Sequence, residues 1–220
     1  MRACPCVGLV IVACVLMGNS GESTEVPQGQ DAKGFASGNQ GSELTPEQCD
    51  LLKKHHWRKH IDQGLGVWVS VGEQMLRVVD GDSIAWQAQC ATAARGTGSR
   101  RDSFKPPLGW HSVKRKIGEG APWGQVFRSA KAVDEIWRPG DETKEDLVLT
   151  RLLWLTGEEP GKNKGGDVDS YERCIYIHGT NDEARIGTPS SHGCIRLLND
   201  DVIRLFDLLP EGTKVLITEK

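Results

Sequence analysis

The sequence predicts a mainly β fold, a sandwich or barrel with a few short helices. Three observations lead there. From Gly66 onward apolar residues recur with a period of two; candidate strands number about seven or eight against two or three candidate helices; and strands follow one another across short turns, without the strand-helix alternation that builds a parallel sheet.

The elements can be justified in order. Thr45-Pro46-Glu47-Gln48 places a capping residue, a proline for the first helical position and a Gln three residues after the cap, so a helix begins here and continues through Leu51, Leu52 and Trp57. The basic cluster from Lys53 to His60 falls where a helix C-terminus favours cations, and reads as a solvated face. Val67 to Val71, Gln74 to Val79 and, after the Asp80-Gly81 turn, Ser83 to Ala88 are strands linked as hairpins. Pro106-Pro107-Leu108-Gly109 interrupts the chain before alternation resumes at Trp110 to Val113. Leu147 to Leu155 is a further strand, 157–166 a glycine-rich loop, and Cys174 to His178 a strand that ends at a glycine. Asn199 or Asp200 caps a helix whose Val202, Leu205, Phe206 and Leu209 form one apolar face, and Thr213 to Thr218 closes the domain as a strand. There is no internal repeat.

Composition narrows the function. Lys and Arg total 27 against 30 Asp and Glu, a formal charge of -3, which offers no general attraction to phosphate backbones, so nucleic-acid binding is not expected. At 38% hydrophobic and 26% charged residues, a collagen, a coiled-coil rod or a wholly disordered chain is excluded. The one long apolar run, Val7 to Met17, has about eleven residues and cannot span roughly 30 Å of bilayer as a helix. Residues 1–20 therefore read as a secretory signal, with Gly18 and Ser20 as the small residues before a cut at Gly21. Two alternatives stay open: Ile11-Val12-Ala13-Cys14 is similar to a bacterial lipobox, which would make Cys14 a lipidated first residue, and the segment could remain as an uncleaved anchor. All three place the domain in the periplasm or another extracytoplasmic space, with membrane contact only through this N-terminus. Residues 21–43 have the composition of a flexible tether and 44–62 form a helical lead-in to a domain at 63–220.

Chemistry concentrates near the C-terminus. Ser191-His192-Gly193-Cys194 lies between the turn Gly187-Thr188-Pro189-Ser190 and a short strand, Ile195-Arg196-Leu197, so the cysteine sits at an exposed turn end. A nucleophilic cysteine needs a partner that takes and returns its proton, commonly a histidine. In an extended segment His192 lies about 6 to 7 Å from Cys194, too far for a direct hydrogen bond. If the strand ending at His178 pairs with the one that Cys194 opens, those two side chains meet, which makes His178 the better base.

Ile177-His178-Gly179-Thr180, then Ile186-Gly187, Pro189 and Ser191-His192-Gly193-Cys194-Ile195-Arg196-Leu197 with Asn199, resemble the L,D-transpeptidase catalytic domain, the YkuD-like family. Pro107-Leu108-Gly109 and the stretch from Trp154-Leu155 through Gly166, Asp167 and Tyr171 extend the likeness, to a proteobacterial-type branch, over roughly 65 to 218; Cys174 stands where that branch would have an aromatic residue. The resemblance implies a YkuD-like β-sandwich or barrel and, as substrate, the stem tetrapeptide of peptidoglycan. Carried over, Cys194 attacks the carbonyl of the third stem residue and expels D-Ala, while His178 is general base and then acid, oriented by the Gly179 carbonyl. Gly193 and Cys194 N–H groups become the oxyanion donors, and Ser191 and His192 shape the turn and pocket wall. Arg196 either holds a substrate carboxylate or forms a structural salt bridge. No cofactor and no metal is implied, and a carbapenem should acylate Cys194. The acceptor stays open among a stem-peptide amine, a free D-amino acid, a lipoprotein lysine and water, the last giving an L,D-carboxypeptidase; a non-catalytic wall-peptide-binding module is the alternative of another class.

His178, His192, Cys194 and Cys174 are also zinc-ligand types, but Cys174 and His178 on one strand stand about 13 Å apart and cannot share a metal. Removing the signal leaves Cys49, Cys90, Cys174 and Cys194, of which Cys49 and Cys90 are the candidate bridge and Cys174 reads as a small buried apolar residue.

Overall fold

The computed structural model describes residues 41–220 apart from Asp62. The expected signal and all but the end of the tether lie outside the described residues. In chain order the elements are β1 (Ser42–Glu43), α1 (Pro46–Lys54), α2 (Trp57–His60), β2 (Leu65–Ser70), β3 (Met75–Asp80), β4 (Ser83–Gln89), β5 (Gly109–Ile117), β6 (Gln125–Arg128), β7 (Lys131–Ile136), β8 (Val148–Gly157), β9 (Tyr176–Gly179), β10 (Ile195–Leu197), α3 (Asn199–Leu208) and β11 (Lys214–Thr218). The fold is mainly β, as its periodicity predicts.

The strands form one sheet in the order β1-β4-β3-β2-β11-β5-β8-β6-β7, with β9 added to β8 and β10 to β9. Most pairings are antiparallel, but β11 lies parallel to β2 and β10 parallel to β9, so the sheet is mixed. Both faces of its centre are covered, which explains why β2 is buried at nearly every position. Val67 and Val69 turn toward α3, packing with Val202, Leu205 and Phe206, while Trp68 between them turns to the opposite face, where Leu52, Trp57 and Ile61 of the helical lead-in cover it. The lead-in is thus part of the domain's core, and the sheet itself begins at Ser42, which pairs with Ile84.

Local chemistry sets the helix starts. At α1 the Thr45 hydroxyl accepts the Gln48 N–H and the Gln48 side chain accepts the Thr45 N–H, the reciprocal cap read from the sequence. At α3 the expected cap is corrected: Leu198 is the N-cap residue, Asn199 is already helical, and the Glu183 carboxylate accepts the Asn199 N–H at 2.9 Å. A carboxylate from elsewhere in the chain does the work of a capping side chain, favoured by the positive end of the helix.

Two further expectations change. The strand foreseen from Cys174 starts at Tyr176, because Cys174 adopts φ 55, and its side chain is exposed rather than buried. Cys49 and Cys90 are both free thiols rather than a bridge: Cys90 is buried in the core, and Cys49 is half-buried at the wall of a surface pocket.

Candidate active site

The site is assembled by the short parallel ladder of β9 and β10. Its register sets Ile195 opposite Ile177 and Arg196 opposite His178, so Cys194, one step before the first pair, lies beside Tyr176. Since side chains alternate along a strand, Cys194 and His178 project from the same face on a diagonal, a separation of about 7–8 Å between Cα atoms that long side chains bridge. The sulfur packs in the cluster formed by Tyr176, Leu152, Trp154 and Phe127.

His178 is buried, and its Nδ1 lies 2.7 Å from the Gly179 carbonyl. A carbonyl only accepts, so Nδ1 carries the proton and Nε2 keeps its lone pair. Burial pushes the His178 pKa down to about 4, against the opposing pull of the Gly179 carbonyl and the Asp146 charge. Burial pushes the Cys194 thiol up to about 12, with the Tyr176 N–H working the other way. At neutral pH the resting pair is therefore a thiol beside a neutral imidazole with a free basic nitrogen.

The ring of His178 is held from behind. A Cβ on Gly179 would come within 2.3 Å of Asn199 Oδ1 and 2.9 Å of the Leu149 carbonyl, so only glycine fits there. Asn199 is fully buried, donates to the Thr180 carbonyl and to Glu183, each at 2.8 Å, and accepts from the Thr150 hydroxyl. Thr150 sits where β8 is irregular against β9 and has φ 69, a strained conformation for a β-branched residue, fixed by this bond and by the Gly124 N–H donating to the same hydroxyl.

A charged cluster flanks the pair. Arg196, 1% exposed, bonds the carboxylate of Asp146 and, at 3.1 Å, that of Asp182. Of the two roles the sequence left open for Arg196, this is the ion pair; its guanidinium is taken up within the fold. Asp146 also accepts from Nδ1 of the exposed His192 at 2.8 Å. Burial acts to raise the Asp146 pKa, but His192 and Arg196 outweigh it and hold it below the usual range. Asp146 was missed by sequence reasoning, since it ends the polar run from Asp141 and has no local signal that separates it from the exposed Glu145.

The turn before Cys194 is shaped by Ser191, whose hydroxyl donates to the Cys194 carbonyl and accepts the Gly193 N–H at 3.2 Å. Gly193 has φ 126, which a side chain would resist, and the chain at Phe104-Lys105 passes directly over it. Cys174 lies at the other edge, its carbonyl 3.4 Å from the Cys194 sulfur. Among the described residues no three His, Cys, Asp or Glu side chains are grouped to hold a metal ion.

A family model described as the L,D-transpeptidase catalytic domain, YkuD, matches residues 65–217. A relative from Fuscovulum blasticum, named as an L,D-transpeptidase in the ATP synthase subunits region, is 51% identical over 177 residues, which cover 76% of this chain and 77% of its own. YqjB of Bacillus subtilis, also named as an L,D-transpeptidase, is 50% identical over 56 residues, 25% of this chain and 32% of its own length. The chain thus spans about a third of that relative. Among solved structures, an L,D-transpeptidase from Xylanimonas cellulosilytica covers 71% of this chain and 61% of its own, with a TM-score of 0.42 and 19% identity.

Proposed function

Because the chain belongs to the L,D-transpeptidase catalytic-domain family, we propose that it performs acyl transfer on peptidoglycan stem peptides through a thioester at Cys194. The observation that supports this reading is the β9–β10 register, which sets a buried imidazole with a free Nε2 on the same face as a turn-end thiol.

With both groups neutral at rest, the proton leaves as the sulfur attacks. The Cys194 sulfur bonds to the carbonyl carbon of the third stem residue while its proton passes to His178 Nε2. The carbonyl oxygen takes up negative charge facing the N–H groups of Cys194 and Gly193, the latter released from Ser191. Collapse breaks the bond to D-Ala, and His178 returns the proton to the departing amine. An acceptor amine then attacks the thioester, gives its proton to His178 and restores the thiol; with water in its place the same residues make a carboxypeptidase. Arg196 and Asp146 hold the geometry without touching substrate. The reading carries an extracytoplasmic location with it, reached through residues 1–20, with Cys14 as the lipid site if the lipobox is used.

The test is to incubate the protein with a stem tetrapeptide, measuring free D-Ala and the intact mass of the chain. Release of D-Ala with an acyl adduct mapped to Cys194 is the expected outcome; a folded protein that gives neither would sink the proposal. Product analysis on whole sacculi then identifies the acceptor.

A further inference from the structure

Acyl transfer as proposed uses one of two thiols at the site. Cys174 is an exposed free thiol, and its carbonyl accepts from the Cys194 S–H at 3.4 Å. The other described cysteines are elsewhere: Cys90 is fully buried in the main core, and Cys49 lines a pocket beside α1. Among the described residues, Cys174 is therefore the thiol placed to meet Cys194.

The fold sets the two cysteines on converging segments. By the β9–β10 register Cys194 lies beside Tyr176, and Cys174 precedes Tyr176 by two residues, before β9 begins. Cys174 has φ 55, and its N–H donates to the Tyr171 carbonyl at 3.0 Å, so the chain turns there. A carbonyl oxygen is about 2.4 Å from its own Cα, which puts the Cys174 Cα no more than about 5.8 Å from the Cys194 sulfur. A bridge, which joins Cα atoms about 4.4 to 6.8 Å apart, then needs the Cys174 side chain to turn inward from solvent, on a residue that no strand pairing holds. Burial pushes the Tyr176 pKa up, and the Cys174 and Cys194 thiols push it further, so both sulfurs stand close to one phenol.

We propose that Cys174 and Cys194 are a site of reversible oxidation, joined as a disulfide by hydrogen peroxide, which masks Cys194 and spares it deeper oxidation. The exposed Cys174 reacts first. Its sulfur takes one oxygen of the peroxide, the O–O bond breaks, and the second oxygen leaves as water, so Cys174 becomes a sulfenic acid. The Cys194 sulfur then attacks the Cys174 sulfur; the S–O bond breaks, and the departing hydroxide takes the Cys194 proton as a second water. Two thiols have lost two electrons and the peroxide has gained them. A dithiol reverses the step by exchange, leaving as its own disulfide, and an exposed bridge is open to that attack. The loss of activity rests on the acyl-transfer reading of Cys194, whereas the bond itself does not. The extracytoplasmic location within that reading is one where disulfides persist.

The test treats the full chain with hydrogen peroxide, alkylates the remaining thiols, digests without reductant and maps the peptides by mass. A peptide pair joining Cys174 to Cys194, released by dithiothreitol, is the expected product. Carbapenem labelling of Cys194 should fall in step with that product and return to the untreated level after the dithiol. Cys174→Ser keeps the backbone carbonyl, and its labelling before treatment should match wild type. After peroxide the variant should either keep its labelling, because the first step is missing, or lose it with recovery severalfold below wild type, because an unpartnered sulfenic acid passes to sulfinic acid, which a dithiol does not reduce. Both outcomes support the pairing. Absence of the Cys174–Cys194 product from folded wild-type protein, a bridge from Cys194 to another cysteine, or loss and recovery in Cys174→Ser equal to wild type overturns it. Cys174→Ala, followed in the same way, serves if the serine variant does not fold. The acyl-transfer reading fails separately, if untreated protein never forms an adduct at Cys194 although the disulfide product appears.

Discussion

Acid should leave catalysis untouched over a pH range where an ordinary histidine base would already be lost. In the proposed mechanism His178 works as a base only while Nε2 is unprotonated, and burial places its pKa at about 4. At about pH 5.5 such an imidazole is almost entirely neutral, whereas one at the usual value of about 6.5 would be roughly one-tenth neutral. Acylation of Cys194 at about pH 5.5 should therefore run within roughly a tenth of its rate at about pH 7, where an unshifted base would cost about tenfold; the limb should appear only near pH 4.

Stability moves in the same range and has to be followed alongside. His111, buried between the Gly109 carbonyl and the Ser170 hydroxyl, also has its pKa lowered by burial to about 4. Between the folded and unfolded values the unfolded chain binds more protons, so the stability from each neutral buried histidine is present above about pH 6.5 and lost as the pH falls toward 4. A shift of this size corresponds to about 3 kcal/mol for each histidine. The assay is single-turnover acylation by a carbapenem, read by intact mass across the acid range, with near-UV circular dichroism on the same samples. An acylation limb centred near pH 6.5 in protein that is still folded would refute the desolvated-base reasoning.

Other expectations follow from the same geometry. His178→Asn should lower acylation by roughly 10² to 10⁴ and His192→Asn by less, because the His192 ring is exposed and bonded to Asp146; a larger loss in His192→Asn, with both variants folded, reverses the assignment. A carbapenem should label the chain once, at Cys194, and peptide mapping that finds it on Cys49, Cys90 or Cys174 would mean a misplaced nucleophile. Asp146→Ala leaves the buried Arg196 with Asp182 alone and should cost about 3 kcal/mol in urea denaturation, the low end for a broken buried pair. Asn199→Ala strips partners from Thr180, Glu183 and Thr150 and should cost about 2 to 3 kcal/mol, with slower acylation because the support behind Gly179 goes with it.

The parts of the fold that could be read ahead are those whose signal is local. β2 to β4 declare themselves by alternation and the Asp80-Gly81 turn, and α1 by its capping residues. β6 and β7 gave no such signal. Lys131–Ile136 is largely exposed, and the hairpin turns through Ser129 and Ala130, both at positive φ, with neither Gly nor Asn to announce it. The parallel seating of β11 on β2 is equally silent, since it joins segments from opposite ends of the domain and depends on what covers each face.

The site divides along the same line. That Cys194 and His178 come to one face was legible because a cysteine at a turn end and a histidine closing a strand are local facts, needing only one guess about strand pairing. Asp146 was not, because a carboxylate in a polar run becomes special only when the fold brings a buried guanidinium to it. Its electrostatic effect on His178 is nonetheless partly offset: Asp146 raises the His178 pKa and Arg196 lowers it, while desolvation is the larger influence. The ion pair therefore serves chiefly as a brace across β10 and the segment leading into β8, and the proton balance of the Cys–His pair is set by how thoroughly water is kept from the β9–β10 ladder. Substitutions that loosen the packing around Tyr176, Leu152 and Phe127 should thus move the acid limb further than loss of either charge, because they admit water to the pair itself.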